Sequence, residues 1–374
     1  MPPVNILIKP ASSACNMSCR YCFYKDVAQN REKESEGMLS IEQMENIICA
    51  GMEYADQICS FTFQGGEPTL AGLDFYQQAV QLVKKHRKKG VDVRFAMQTN
   101  GYAIDARWAE FLHENHFLVG LSLDGTTSQH NANRLDCTGK GTWGSAMRAA
   151  KLFDTYRVEY NILCVVTGEN ARHVGQIYRF YRKNNFRWLQ FIPCLEPIGE
   201  KWGNASYHLS DVAYGTFLIR LFDLWFDDLK KGEYISIRHF DNWMFLLLGE
   251  CTEVCSLSGI CSIQFVVEAD GGVYPCDFYV LDAWRLGTVG EKSFAEMAES
   301  ATAREFIRRS MRLPAECKTC RWLYLCRNGC HRDRRMGTTG GKTIHCKAHQ
   351  MFFEARGQQL LQAAHVLMRV RNKT

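Results

Sequence analysis

Short apolar stretches alternate with longer amphipathic ones over roughly the first 230 residues. Val4–Ile8, Cys59–Gln64, Val91–Met97, Leu118–Leu123, Tyr160–Val166 and Leu189–Pro193 are dominated by apolar or β-branched residues and bounded by polar or breaker positions, which predicts strands. Between them, apolar residues return at helical spacing, predicting helices over Ser40–Tyr54, Leu73–Lys88, Ala106–Asn115, Thr142–Tyr156 and Ala171–Lys183. Ser40-Ile41-Glu42-Gln43 reads as a capping box for the first of these. Repeated β–α units predict an α/β fold: a parallel sheet with helices outside, curled into a partial (β/α)6 TIM-like barrel. Chemistry in such a barrel belongs at the C-terminal ends of the strands.

Around residues 200–240 the rhythm stops. From Cys251 to Cys346 the chain is rich in cysteine and loops. Gln264–Glu268, a turn at Ala269-Asp270-Gly271-Gly272, and Val273–Cys276 predict a hairpin. One helix is expected over Phe294–Met311, and Ala348 to about Val370 reads as a closing amphipathic helix. The expected division is therefore 1–235 for the barrel, 236–347 for a cysteine-rich domain and 348–374 for a C-terminal helix.

A length of 374 residues suffices for such a barrel with a second domain, and 46 % hydrophobic with 23 % charged residues is ordinary for a globular chain. No apolar run approaches the roughly 18 residues of a membrane span, and MPPVNILIKPASS lacks the apolar core of a signal peptide. A cytoplasmic protein with no membrane partner is expected. Seventeen cysteines in a reducing compartment point to metal rather than disulfides. The net charge of +5, with basic runs at Lys84–Lys89 and Arg308-Arg309, could suggest nucleic acid. Those runs fall on predicted helices and read as solvated faces, so no nucleic-acid partner is expected.

Cys15-x3-Cys19-x2-Cys22 follows the first strand directly. Structural zinc takes four closed ligands, whereas a cubane iron–sulfur cluster with three protein thiolates keeps one iron open. A zinc site borrowing a distant cysteine such as Cys59 is the competing reading. The run Cys15-Asn-Met-Ser-Cys19-Arg-Tyr-Cys22, with Tyr24 two residues on, resembles the cluster motif of radical S-adenosylmethionine (SAM) enzymes. Further pieces sit at successive strand ends: Gln64-Gly65-Gly66-Glu67-Pro68, Gln98-Thr99-Asn100-Gly101 and Ser122-Leu123-Asp124-Gly125, with Arg134 following. The resemblance implies that Gln64, Gly65, Gly66 and Glu67 hold the amino group of SAM. It also implies that Ser122 and Arg134 meet its ribose and carboxylate, and that Leu195 faces its adenine.

The later cysteines read Cys261-x9-Gly271-x4-Cys276, then Cys317-x2-Cys320-x5-Cys326-x3-Cys330, then Cys346. This pattern is similar to the seven-cysteine SPASM domain, whose usual cargo is two four-iron clusters. Eight thiolates are needed, and Cys255 is the expected eighth, with Cys251 the competitor. The resemblance implies crossed ligation: Cys255, Cys261, Cys276 and Cys330 for the nearer cluster, Cys317, Cys320, Cys326 and Cys346 for the outer one. Three [4Fe-4S] clusters in all are implied, and their eleven thiolates would bring the net charge to about zero. Cys346 closes a Gly- and Thr-rich stretch, Gly337–His345, of variable-looking length.

Nearly the whole chain resembles the anaerobic sulfatase-maturating enzymes, through IKPASS, FQGGEPTLAG, QTNG, FLVGLS, NILCVVT, ARHV and QFVVE-DG-VYPCDFYVLD-WRLG. Such enzymes convert a cysteine or serine of an unfolded sulfatase to Cα-formylglycine, starting with hydrogen abstraction from Cβ by a 5′-deoxyadenosyl radical. The resemblance implies a ferredoxin- or flavodoxin-like electron donor. Asp277, directly after Cys276, is the expected base. A monomer suffices for this chemistry. Two other readings remain: a SPASM maturase that crosslinks or epimerises a ribosomally made peptide, and a metal-bearing interaction module without catalysis. The stretch Glu196–His208 carries no legible motif.

Overall fold

The computed structural model describes residues 3–334 and 341–371. Six parallel strands form its centre: β1 (Val4–Ile8), β2 (Ile58–Phe63), β3 (Asp92–Thr99), β4 (Phe117–Ser122), β5 (Glu159–Val166) and β6 (Trp188–Pro193). Each lies within two residues of its expected bounds. Helices Ile41–Tyr54, Leu73–His86, Ala106–Glu114 and Trp143–Tyr156 connect them. The interior of the curl differs from a packed barrel. Cys59 and Phe61 of β2 turn outward against the helix Ile41–Tyr54, while Ser60 and Thr62 alternate to the opposite face, where Thr62 bonds Asn5 at 3.0 Å. The core is thus between sheet and helices, with Phe95 and Phe117 stacked at 5.0 Å, and polar side chains line the inside.

The β–α rhythm continues further than its pattern suggests. A helix at Asp211–Lys230 leads to β7 (Ser236–Ile237), which pairs parallel with β6. At the other edge, β8 (Val266–Val267) pairs parallel with β1, and the hairpin partner β9 (Gly272–Tyr274) and β10 (Gly287–Thr288) follow antiparallel. One sheet of ten strands, in the order β10-β9-β8-β1-β2-β3-β4-β5-β6-β7, therefore runs from the cysteine-rich region into the barrel. This direct pairing fixes Cys276 and Asp277, just past β9, beside the end of β1.

Three local expectations change. Phe294–Met311 is two helices, Phe294–Ala298 and Ala301–Ser310, because Ser300 caps the second by accepting from Ala303 N. Ala171–Lys183 begins earlier and divides into Gly168–Arg172, capped by Thr167, and Val174–Lys183. Ser40 caps its helix through Gln43 N at 3.0 Å, but the Gln43 side chain lies against Gly271 instead of closing the box. The C-terminal helix Cys346–Arg371 packs on Asp211–Lys230; a Cβ at Gly215 would stand 3.1 Å from Ala348 Cα. Gly337–Gly340 of the Gly- and Thr-rich stretch lies outside the described residues. Lys85 and His86 pair with Glu45, and Arg308 and Arg309 with Glu305. Among the described residues no helix is long and apolar enough to cross a membrane.

Candidate active site and cluster centres

Cys15, Cys19 and Cys22 sit on the loop leaving β1, close enough for their charges to interact. The next strand end clamps this loop. Gly66 N donates to Ser12 O at 2.9 Å and Glu67 N to Ala14 O at 2.8 Å. A Cβ at Gly66 would come 1.9 Å from Ala14 O, so only glycine fits, and Gly65 takes φ +126°. The backbone that Gly66 admits is that of the cysteine loop itself.

Glu67 is anchored within the barrel. Its buried carboxylate accepts from Thr69 N, Thr69 Oγ1, Thr99 Oγ1 and Asn100 N at 2.7–3.1 Å. Burial raises its pKa, and these donors oppose the rise. The acceptor expected for an amino group thus joins β2 to β3. Asn100, held there, donates to Asn16 Oδ1 at 2.8 Å and braces the cysteine loop from a second side.

At the end of β4, Ser122 is half-buried and pairs with Leu163. Arg134 is buried and salt-bridged to Asp124 at 3.0 Å, with its guanidinium 5.5 Å over the Tyr21 ring. Asp124 also accepts from Val165 N at 2.9 Å and from Tyr21 Oη. Burial pushes the Cys19 thiol up to about 11, and the neighbouring Arg134 opposes that rise. Leu195 is half-buried beyond β6, where Cys194 N bonds Val166 O at 3.0 Å.

Tyr24 and Gln64, expected at the cofactor, converge on Asp277. Tyr24 Oη donates to Asp277 Oδ2 at 2.7 Å, and Gln64 Nε2 donates to the same oxygen at 2.6 Å. Asp277 is 6 % exposed, and its other oxygen, Oδ1, is buried without a hydrogen-bond partner. Burial raises its pKa; Lys9, Tyr24 and Gln64 restrain the rise. Lys9, itself 2 % exposed, pairs with Glu268 at 3.0 Å and lies 5.2 Å over the Tyr24 ring. Sequence reasoning missed Lys9, and gave Asn100 and Asp124 only as parts of strand-end motifs, without a role. The signal was a lysine closing an apolar strand, and polar residues at two strand ends.

The cysteines expected at the auxiliary clusters fall near one another in two sets. Cys276 feels the charge of Cys255 and Cys261, and Cys330 that of Cys276 and Cys255; burial dominates in raising both thiols. Cys317, Cys320, Cys326 and Cys346 line one small cavity. Cys251 and Cys255 are both exposed, and of the two it is Cys255 whose charge reaches Cys276 and Cys330. Among the described residues, no three His, Cys, Asp or Glu side chains converge on a single metal ion. The cysteines form looser groups of three, four and four, the donor sets that multi-iron cores require. Most of these thiols are only partly buried, and where burial acts it favours the neutral form, so a metal core is what would ionise them. The donor chemistry therefore fits one three-thiolate cluster, which leaves an iron for SAM, and two four-thiolate clusters.

Arg332 ties the two halves of the site: it donates to Glu196 O at 3.1 Å and stands 3.7 Å from Asp26, which caps Ile198 N. The unread stretch is thereby fixed over the barrel mouth, with Glu196 bonded to His208 at 2.5 Å.

A partial barrel with a three-cysteine loop at its first strand end, joined through one sheet to two further sets of four cysteines, defines a radical SAM protein with an auxiliary-cluster domain. The radical SAM superfamily matches residues 10–181, and an iron–sulfur cluster-binding SPASM domain matches 255–321. The cysteine-type anaerobic sulfatase-maturating enzyme of Clostridium perfringens strain 13 is 46 % identical over 97 % of this chain and 99 % of its own length. The serine-type enzyme of Bacteroides thetaiotaomicron is 29 % identical over 94 % and 89 %. A solved structure, native anSMEcpe with bound AdoMet, superposes with TM-score 0.94 at 45 % identity, covering 97 % of this chain and 100 % of that one. The same protein with AdoMet and the Cp18Cys peptide gives TM-score 0.93 at 44 % identity, covering 98 % and 100 %. The chain belongs to the anaerobic sulfatase-maturating enzyme family.

Proposed function

We propose that this protein oxidises a cysteine side chain in an unfolded sulfatase segment of Cys-x-Pro-x-Arg type to Cα-formylglycine. The observation that carries the reading is the free, buried Oδ1 of Asp277, one residue from a cluster cysteine and within the polar mouth of the barrel. Support for cysteine over serine comes from the relatives: those at 45–46 % identity are cysteine-type, those at 29–31 % serine-type.

Cys15, Cys19 and Cys22 would hold the first cluster; Cys255, Cys261, Cys276 and Cys330 the nearer auxiliary one; Cys317, Cys320, Cys326 and Cys346 the outer one. When bound, these groups with SAM supply a deoxyadenosyl radical for removing a Cβ hydrogen and an acceptor for the second electron. The side chains do the rest. Arg134 and Ser122, with the Gly65-Gly66 backbone and Leu195, orient SAM. Glu67 and Asn100 fix the loop that carries the first three thiolates. Asp277 takes the substrate thiol proton through Oδ1, while Tyr24 and Gln64 hold Oδ2 and keep the carboxylate aimed. Loss of Cβ hydrogen, one electron and that proton leaves a thioaldehyde. Water then gives the aldehyde and hydrogen sulfide. A ferredoxin- or flavodoxin-like donor supplies the first electron, and a single chain carries every group named.

The test is anaerobic. Reconstituted protein receives reductant, SAM and a Cys-x-Pro-x-Arg peptide, and mass spectrometry follows the aldehyde. Release of deoxyadenosine without any change in the peptide would sink the sulfatase reading.

A further inference from the structure

The outer cysteine set has one ring nitrogen against it. His349 Nδ1 lies 3.5 Å from Cys326 Sγ. Among the described residues, the other side-chain hydrogen-bond contact to this set, Cys317 Sγ to Asn328 Oδ1 at 3.9 Å, presents an acceptor. His349 is 5 % exposed, on the first turn of the helix that Cys346 begins, and its N–H bonds His345 O at 3.0 Å. Trp243, Phe353 and Tyr214 surround the ring at centroid distances of 5.7, 6.1 and 6.4 Å. The rings confine the imidazole, and the helix that begins at Cys346 carries it against the Cys326 sulfur.

A metal-bound thiolate accepts hydrogen bonds and does not donate them. The hydrogen in this contact must therefore sit on Nδ1. A donor to a ligand sulfur favours the more negative, reduced state of a cluster and so raises its potential. We propose that His349 is a positioning residue for electron transfer: its Nδ1–H bond to Cys326 raises the reduction potential of the outer auxiliary cluster above what its four thiolates alone would set. The inference rests on the reading of Cys317, Cys320, Cys326 and Cys346 as cluster ligands. In that arrangement the bond makes the outer site a better acceptor for the electron leaving the substrate.

The experiment uses the full chain with all its clusters. In a reductive titration followed by electron paramagnetic resonance, His349→Phe should lower the reduced-to-oxidised ratio of the outer cluster about tenfold at fixed potential, equal to about 59 mV for a one-electron couple. The other two clusters should not move, and His349→Gln, which restores a donor, should recover part of the shift. Wild-type protein labelled with 15N-histidine should also show nitrogen coupling to the reduced outer cluster. This measurement decides the matter even if the Phe variant does not fold. Absence of coupling, or an unshifted potential in a Phe variant with full iron content, overturns the proposal. Wild-type protein binding only about eight irons would instead overturn the ligand assignment beneath it.

Discussion

Gln64 and Asp277, 213 positions apart, meet at 2.6 Å because β8 pairs with β1 and brings the cysteine-rich region onto the barrel's own sheet. The end of strand two and the residue after a cluster cysteine thereby form one polar centre. The proton acceptor is held by residues of the barrel, so barrel substitutions should change proton transfer as well as cofactor binding.

Tyr24→Phe tests this. Tyr24 lowers the pKa of Asp277, which burial raises, so losing the hydroxyl raises that pKa further. A base works only when deprotonated, so activity fails as pH falls through its pKa. The acid limb of the pH–rate profile should move to higher pH, and aldehyde yield near neutrality should fall about tenfold for one lost charge-assisted bond. Deoxyadenosine release should persist. An unmoved acid limb would count against Asp277 as the base.

Asp277→Asn should be more severe. Removing a general base costs on the order of 100-fold or more. Peptide-dependent aldehyde formation should fall by that factor, with iron and sulfide content unchanged. A similar yield from the variant would reassign Asp277 to a structural role beside Cys276.

Gly66→Ala should strip one cluster and leave two. The new Cβ would stand 1.9 Å from Ala14 O, on the loop between β1 and Cys15, and backbone on both sides leaves little room to yield. Iron content should drop from about twelve to about eight atoms per chain. Gly144→Ala, with nothing within 4 Å and no positive φ, is the control and should keep all its iron.

What the sequence reveals of this site follows the range of the forces involved. Strand positions, the cysteine spacings and the cap at Ser40 are local, and period, spacing and composition report them. β7 is two residues long, too short to express an alternating pattern, so the seventh unit stays invisible. The break before Ala301 depended on a second serine cap that outweighed continuous helical periodicity. Lys9 became legible only with Glu268, its partner across the sheet. Glu67 illustrates the converse: its motif was plain, but the direction of its carboxylate is set by Thr99 and Asn100, which arrive from another strand.

Glu67→Gln gives the sharpest separation between bracing and ligand binding. The carboxylate of Glu67 accepts four hydrogen bonds while fully buried, and its amide replacement would turn one acceptor into a donor facing other donors. A buried polar group left unsatisfied costs about 1–3 kcal/mol. That loss should appear as a lower denaturant midpoint even in protein without SAM. The Asn100–Asn16 contact would loosen with it, so the first cluster should be lost more readily to a chelator, while the two auxiliary clusters keep wild-type rates. If the main role of Glu67 were to grip the amino group of SAM, the outcome would reverse: unchanged stability and chelation, and weakened binding of SAM alone.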